Sequence, residues 1–325
     1  MNRRQFVLAG LAYPLVRPEY RLQFPRDHGA HPDYRQEWWY LTGWLKTAAG
    51  KDLGFQITFF RARPDLVTDN PSRFTPRQVL LAHAAIADPS VGRLRHDERA
   101  ARTALDLAGA REGTTEVWLD DWSLKLEGST YRSRIVAREF TLDLSFLARG
   151  APVLQGEQGF SRKGRKPGEA SHYYSRPHLQ VSGKVNDAPV TGTAWLDHEW
   201  SSQYMDSEAA GWDWCGLNLD DGTGLMAFRM RSKEGDTRFA PDGVDFRPLR
   251  TWRSPRTGAT YPVAMAVRTP RGEFTLEPLM DDQELDARAS TGTIYWEGAV
   301  RALQGNKTVG RGYLELTGYW QPMKL

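Results

Sequence analysis

The chain has 325 residues, a formal net charge of +3 and a single cysteine, Cys215. This length suits two domains better than one hydrophobic core. Acidic and basic residues are interspersed without a basic block, so nucleic-acid binding is not expected. One cysteine excludes an internal disulfide framework and a cysteine-rich zinc site.

The N-terminal segment resembles an export signal. Arg3 and Arg4 precede a short apolar run that stops near Tyr13 and Pro14, as in twin-arginine signals. Neither this run nor any later segment is long and apolar enough to span a bilayer. We therefore expect a periplasmic or secreted protein with residues 1–19 as the signal-like segment. The alternative is an N-terminus that is simply apolar.

Residues 36–45 concentrate aromatic side chains beside a carboxylate. Three Trp and one Tyr follow Glu37 in this segment, and such residues combine large apolar area with polar edges. On a strand, Trp39 points to one face while Trp38 and Tyr40 point to the other. At most half of these aromatic side chains can therefore contact one ligand, and the others must pack elsewhere.

Alternation of apolar and polar residues predicts strands along most of the chain. It is clearest in three segments, residues 53–59, 122–126 and 140–146. Residues 77–87 fit either a short helix or a strand. Turn signals at Asp221-Gly222 and at residues 270–272 predict hairpins. The class is therefore all-β and largely antiparallel, in sandwiches or barrels.

A stretch rich in Gly, Lys and Arg, residues 156–170, predicts an exposed loop. Strand patterns resume after it. A seam near residue 188 divides the chain into two halves of similar size, residues 20–188 and 189–325.

The segment 197–200 carries three ionisable side chains. On a strand, Asp197 and Glu199 share one face, roughly 6–7 Å apart from the rise per residue. Such a carboxylate pair has one raised pKa and suits general-acid catalysis. His198 and Trp200 share the other face, where His198 would act as acid, base or orienting group. Alternatively, these polar groups only satisfy amides at a strand end.

A second segment places Asp213 between Trp212 and Trp214. Alternation points both rings one way and Asp213 the other. If Asp213 faces an apolar barrel interior, desolvation raises its pKa and makes it a proton donor at neutral pH. If it faces solvent, the hypothesis fails.

Metal binding is not expected, because His28 and His31 have no third ligand nearby in the sequence. His198 also lacks the second His that a zinc-protease helix needs, and Glu297 is interpreted as structural. No phosphate-binding or dinucleotide motif occurs, and no nucleophile elbow occurs either.

Aromatics that bracket ionisable groups are typical of a small-molecule site. The candidate ligand-binding residues are Glu37, Trp39, Tyr174, Trp200, Trp212 and Trp214.

Five segments, residues 33–43, 192–200, 252–262, 295–300 and 312–319, resemble the AttH/CrtC-like family. This family includes carotenoid 1,2-hydratases and a large group of predicted secreted hydrolases. The resemblance covers most of the chain after residue 20. It implies two lipocalin-like (calycin) antiparallel β-barrels packed together.

The resemblance also implies a chemistry. The family's hydratases protonate a terminal alkene and add water without a cofactor, using an acidic donor with His and aromatic residues around it. His198 and Trp200 lie in the matching Asp-His-x-Trp segment, and Asp213 is the candidate acid, with Asp197 and Glu199 as further catalytic candidates. We expect an exported, cofactor-free protein that binds an isoprenoid or lipid-like molecule and is hydratase-like. The alternatives are a carrier linked to an ABC export system and a secreted hydrolase.

Overall fold

The computed structural model describes residues 13–64, 77–103 and 106–323. The paired arginines of the export-like segment fall in residues 1–12, outside this described part. Apart from one short 3-10 helix, Arg26–His28, the regular structure of the described residues is β-strand. No helix described here is both long and apolar enough to cross a membrane.

The strands in chain order are β1 (Gln36–Thr47), β2 (Asp52–Ala62), β3 (Val79–Ala87), β4 (Leu94–Arg102), β5 (Ala108–Ala110), β6 (Glu116–Leu119), β7 (Trp122–Glu127), β8 (Thr130–Val136), β9 (Thr141–Leu147), β10 (Val153–Leu154), β11 (Phe160–Arg162), β12 (Ala170–Val185), β13 (Ala188–Gln203), β14 (Gly211–Leu219), β15 (Gly224–Arg231), β16 (Thr237–Phe239), β17 (Asp245–Arg253), β18 (Thr260–Thr269), β19 (Gly272–Pro278), β20 (Glu284–Ala287), β21 (Thr293–Gln304) and β22 (Lys307–Leu316).

The first barrel is an antiparallel sheet of thirteen strands in the order β4-β3-β2-β1-β13-β12-β9-β8-β7-β6-β5, with β10 and β11 paired to β12. The sheet curls until β4 lies close to β6. An ion pair of 2.9 Å between Arg138 and Asp97 joins β4 to the turn after β8. The predicted alternation is confirmed on β2, where Phe55, Ile57 and Phe59 are buried in the barrel interior.

The second barrel is an antiparallel sheet of nine strands in the order β16-β15-β14-β22-β21-β19-β18-β17, with β20 paired to β21. Both predicted hairpins are present, since Asp221-Gly222 joins β14 to β15 and residues 270–271 join β18 to β19. Its own apolar cluster fills the interior with Val263, Met265 and Trp296, among others. The predicted class, two antiparallel β-barrels packed together, is therefore confirmed.

The chain changes sheet after β13. This strand pairs with β1 and β12, and the next strand, β14, begins at Gly211 in the second sheet. The predicted division after residue 188 falls at the start of β13, which belongs to the first sheet, so the change of sheet comes later than expected, between Gln203 and Gly211. Residues 79–87, which fitted either a helix or a strand, form β3.

An aromatic cluster joins the two barrels. Its buried members are Tyr40, Trp44, Trp195, Tyr204, Ala209, Trp214, Phe228, Met230, Ala299 and Tyr313. The Trp44 indole N–H donates to the Gly312 carbonyl across the interface, at 3.0 Å. The guanidinium groups of Arg301 and Arg311 lie 5.1 and 4.7 Å from its ring centroids. The face of β1 that does not enter the first barrel therefore forms the contact with the second.

We expect Trp44→Phe to lower the free energy of unfolding by about 1–2 kcal/mol, because it leaves the buried Gly312 carbonyl without its donor. Urea unfolding would measure the loss. Trp118→Phe is the matched control, because the Trp118 indole N–H donates to the Asp106 carbonyl in an exposed position. Equal losses in the two variants would show that the inter-barrel hydrogen bond adds nothing.

Candidate functional site

Strands β1 and β13 are the shared wall of two separate compartments. Residues on one face, such as Trp39 and Trp200, are buried in the first barrel. Residues on the other face, such as Tyr40 and Trp195, face the second barrel. The alternation predicted for both segments is confirmed. Because the two faces line different compartments, the predicted site residues are divided between these compartments.

A cavity of about 470 Å³ lies between the two barrels, within the usual range of roughly 300–1,000 Å³ for small-molecule pockets. Strands β1, β2, β3, β12 and β13 form one wall, and β14, β21, β22 and residues 321–323 form the other. Eight of the lining residues are Trp, Tyr or Phe. The rings come from Trp38, Tyr40, Phe60, Tyr173, Tyr204, Trp212, Trp214 and Tyr295.

Asp197 lies in the wall of this cavity and is almost completely buried. Its carboxylate accepts hydrogen bonds from Tyr173 Oη at 2.7 Å, Ser175 Oγ at 2.5 Å and Trp195 Nε1 at 2.6 Å. Burial raises the pKa of Asp197 to about 7, although these donors lower it in part. The predicted raised pKa is therefore present at Asp197, and the group exchanges a proton near neutrality.

Glu199 lies on the same face of β13 and has a cation beside it. Lys163 Nζ is 2.8 Å from Glu199 Oε1, and Ser171 Oγ donates to the same oxygen. Burial raises the pKa of Glu199, and Lys163 offsets part of this effect. Residues 156–170 were expected to be an exposed loop, but Lys163 is only 1% exposed. The reason is this ion pair, together with the Tyr173 ring 4.8 Å away.

Two further carboxyls, Glu297 and Glu315, line the cavity from the second barrel. They are directly opposite residues on β21 and β22, so their side chains share one face. Burial raises the pKa of Glu315 to about 7. Burial and the neighbouring Glu315 raise the pKa of Glu297 well above its usual range. The interpretation of Glu297 as structural missed this pair, because a register shift between Ala302 and Leu303 is needed to place Glu297 opposite Glu315 and the turn alone does not predict it.

These carboxyls give stability a pH dependence with a definite sign. The folded-state pKa of Glu315, about 7, lies above its ordinary value of 4.5, so the folded state binds the proton more tightly. The stabilisation that the folded state gains from protonation of Glu315 is complete below about pH 4.5 and is lost as the pH rises through 7. We expect wild type to lose about 2 kcal/mol more than Glu315→Gln between pH 5 and pH 8. Urea unfolding of both proteins at the two pH values measures this, and parallel pH profiles would contradict it.

His198 and Glu37 lie in the first barrel, on the opposite side of the sheet from Asp197. His198 Nε2 is 2.9 Å from Glu37 Oε1, and His31 Nδ1 is 2.8 Å from the same oxygen. Arg61 Nε donates to Glu37 Oε2 at 2.8 Å. Burial would raise the pKa of Glu37, but Arg61 and His31 hold it well below its usual range. Burial lowers the pKa of His198 despite the carboxylate beside it.

Metal-ligating atoms of His31, Glu37 and His198 lie within 4.8 Å of one another. In the described residues each of these atoms already has a hydrogen-bond partner, and the Arg61 guanidinium neutralises the carboxylate. An ion would have to break these bonds beside a fixed positive charge, so the donor set fits a hydrogen-bond network better than a metal. His28, which the sequence paired with His31, instead bonds to the Tyr174 hydroxyl at 2.9 Å.

The aromatic residues predicted around His198 divide between the two compartments. Trp39 stacks on His198 with ring centroids 4.8 Å apart, and the Tyr174 hydroxyl lies 3.2 Å from His198 Nδ1. Both belong to the first barrel, as does Trp200, whose ring stacks on His31. Trp212 and Trp214 line the cavity between the barrels. The structure therefore corrects the expected single pocket, because the β1–β13 sheet lies between its two halves.

The structure also corrects the expected surroundings of Asp213. As predicted, this side chain points away from Trp212 and Trp214, but it meets two cations rather than apolar side chains. Its carboxylate oxygens are 2.8 Å from Arg229 Nε and 3.0 Å from Arg231 Nε. Both carboxylate oxygens of Asp213 are therefore engaged in ion pairs. This geometry does not support Asp213 as a proton donor.

Two curled antiparallel sheets with a cavity between them define a two-barrel, lipocalin-like protein. The chain belongs to the AttH-like family, whose pattern matches residues 15–319. The resemblance found in the sequence is thereby confirmed.

Two solved structures are similar over nearly the whole chain. A protein from Nitrosomonas europaea assigned as an AttH has 53% identity and a TM-score of 0.88, covering 94% of this chain and 99% of its own. Kievitone hydratase from Nectria haematococca has 17% identity and a TM-score of 0.64, covering 95% of each chain. At that identity the second similarity shows the shared fold. No curated protein matches the sequence.

Proposed function

We propose that the chain adds water to a carbon–carbon double bond of an apolar small molecule held between the barrels. The observation that carries the proposal is Asp197. It is a buried carboxyl with a pKa of about 7 in the wall of a largely apolar cavity to which eight aromatic rings contribute. An acid with a pKa near the working pH is suited to proton transfer. The fold shared with a hydratase supports testing this class of reaction.

The first step is protonation of the alkene. The carboxyl proton of Asp197 moves to one alkene carbon, and the other carbon becomes a cation. Tyr173, whose hydroxyl bonds to Asp197, lies beside this path in the cavity wall. Faces of aromatic rings stabilise a desolvated cation by about 2 kcal/mol, and Trp38, Trp212 and Trp214 are available in the lining.

The second step adds water. The water oxygen bonds to the cationic carbon, and the proton it releases returns to the Asp197 carboxylate. The product is an alcohol, the net reaction consumes one water, and the acid is restored for another turnover.

The test is incubation of the chain with acyclic isoprenoid alkenes of increasing length in D₂O. The expected product carries one deuterium on carbon and one new hydroxyl, which mass spectrometry detects after exchangeable deuterium is removed. Recovery of every bound alkene unchanged would overturn the proposal.

The second candidate function is a carrier of a lipid or other apolar ligand, for which the aromatic cavity would be sufficient without a proton donor. Delivery to an ABC export system and export to the periplasm remain proposals. Export rests on Arg3 and Arg4 and is checked by cell fractionation after replacing both with Lys. A hydrolase would need a nucleophile or an activated water, and the cavity geometry favours neither.

A further inference from the structure

The carboxyl pair of the second barrel transfers no proton in the reaction proposed above. Glu297 and Glu315 face each other across β21 and β22. Glu297 is buried and Glu315 is partly buried. Like charges directly opposite on a sheet destabilise it, so the pair holds both negative charges only if a cation joins it. The groups around each carboxyl therefore decide whether the protein itself supplies that cation.

The five carboxyls among the lining residues differ in what balances them, and Glu37 has Arg61. Glu199 has Lys163, and Asp197 has three hydrogen-bond donors. Glu315 has one donor, the Trp212 indole N–H at 2.9 Å. By hydrogen-bond geometry neither carboxylate oxygen of Glu297 has a partner among the described residues, although the hydroxyls of Tyr40 and Tyr295 lie beside it and lower its pKa in part.

No cation of the described residues is paired with Glu297 or Glu315. The nearby guanidinium of Arg61 is bound to Glu37, and Lys163 is bound to Glu199. The hydroxyl of Tyr40, also in the lining, is buried beside the Glu297 carboxyl. A buried acidic side chain that no cation neutralises thus opens into a cavity whose remaining surface is largely apolar.

We infer that Glu297 and Glu315 form the binding site of an organic ammonium ion whose apolar part occupies the aromatic cavity. Carboxylates supply the counter-charge, and Trp and Tyr faces attract alkylammonium groups through their ring quadrupoles. A cavity of about 470 Å³ is far larger than an inorganic ion needs, which favours an organic cation over a metal.

The inference deepens the proposed function and rests on it in one respect, because both place the ligand in the same cavity. An ammonium ion also has the charge of the carbocation formed when Asp197 protonates an alkene. The pair would then hold a cationic ligand in its ground state, or stabilise the cationic intermediate of a neutral one. In both cases the carboxylates act by charge rather than by proton transfer.

The test compares two probes of one shape, benzyltrimethylammonium and its neutral carbon analogue neopentylbenzene, by calorimetric titration of the whole chain. We expect wild type to bind the ammonium about 10-fold more tightly. Glu297→Gln should lose this preference while it still binds the neutral probe. Glu273→Gln, an exposed change on β19, is the matched control and should keep the preference. Glu315→Gln replaces Glu297→Gln if the latter does not fold.

Equal affinity of wild type for the two probes would overturn the inference, and so would a preference that survives both substitutions. These outcomes are separate from the test of the reaction. Conversion of an alkene without ammonium preference overturns the cation site and leaves hydration intact. Ammonium preference without conversion of any alkene supports the site and counts against hydration.

Discussion

Replacing Asp213 by Ala is expected to lower the free energy of unfolding by about 3–5 kcal/mol. Asp213 lies directly opposite Arg229 in the β14–β15 pair and bonds to both Arg229 and Arg231. The Tyr319 hydroxyl donates to the same carboxylate at 2.9 Å. Without the carboxylate, two buried guanidinium groups remain without a counter-charge, and the Arg231 group still lies against the Tyr319 ring.

Glu139→Ala is the control for this prediction. The Arg93–Glu139 ion pair has an N–O distance of 3.3 Å and both side chains about half exposed, and such a pair contributes up to about 1 kcal/mol. Urea unfolding of the two variants gives the comparison. A loss at Asp213 no larger than that at Glu139 would mean that the arginines find other partners or water, and that the interior of the second barrel is less closed than described.

Replacing Asp197 by Asn is expected to reduce the rate of alkene conversion by about 10²–10⁴-fold, the usual contribution of a general acid. The amide keeps the size of the side chain, and its oxygen still accepts from Tyr173 or Ser175, but it carries no acidic proton. In wild type, the rate should fall as the pH rises through about 7, where Asp197 loses its proton. The residual rate of the variant should lack this dependence.

The same Glu273→Gln change provides the control for activity, because it removes an exposed carboxyl far from the cavity wall. Thermal unfolding of Asp197→Asn would show that the fold is intact. Conversion by Asp197→Asn at the wild-type rate would assign the proton to another carboxyl of the cavity, and the proposed role of Asp197 would be wrong.

Patterns over a few neighbouring residues predicted which face of a strand each side chain occupies and where a hairpin turn lies. The faces of β1 and β13 follow from strand geometry alone, so Asp197 and Glu199 were placed together and apart from His198 correctly. The hairpin at Asp221-Gly222 followed from its turn residues. In these cases the physical determinant lies within a few residues of the chain.

The neighbours of a side chain on an adjacent strand depend on the register between the two strands. Some of these neighbours could be predicted from the sequence and others could not. The hairpin turn at Asp221 already places Arg229 opposite Asp213, so the ion pair could have been derived from the sequence. The turn at residues 305–306 is not sufficient for Glu297 and Glu315, because a register shift between Ala302 and Leu303 changes the pairing by one residue.

The neighbours of His198 could not have been predicted in this way. Glu37 lies 161 residues away in the chain, and no hairpin fixes the register between β1 and β13. The division of the expected pocket into two compartments follows from that long-range pairing. It therefore required the structure.

Strands β1 and β13 form a wall whose two faces line different compartments. The register of these strands therefore decides which compartment each side chain enters. One inserted residue would exchange the compartments of every residue after it, moving Glu199 into the first barrel and His198 into the cavity. Two chemically different environments would be lost in a single step. We therefore expect relatives of this chain to vary in length at their turns and to keep the lengths of these two strands. New ligand preferences would then arise by exchange of side chains, one face at a time.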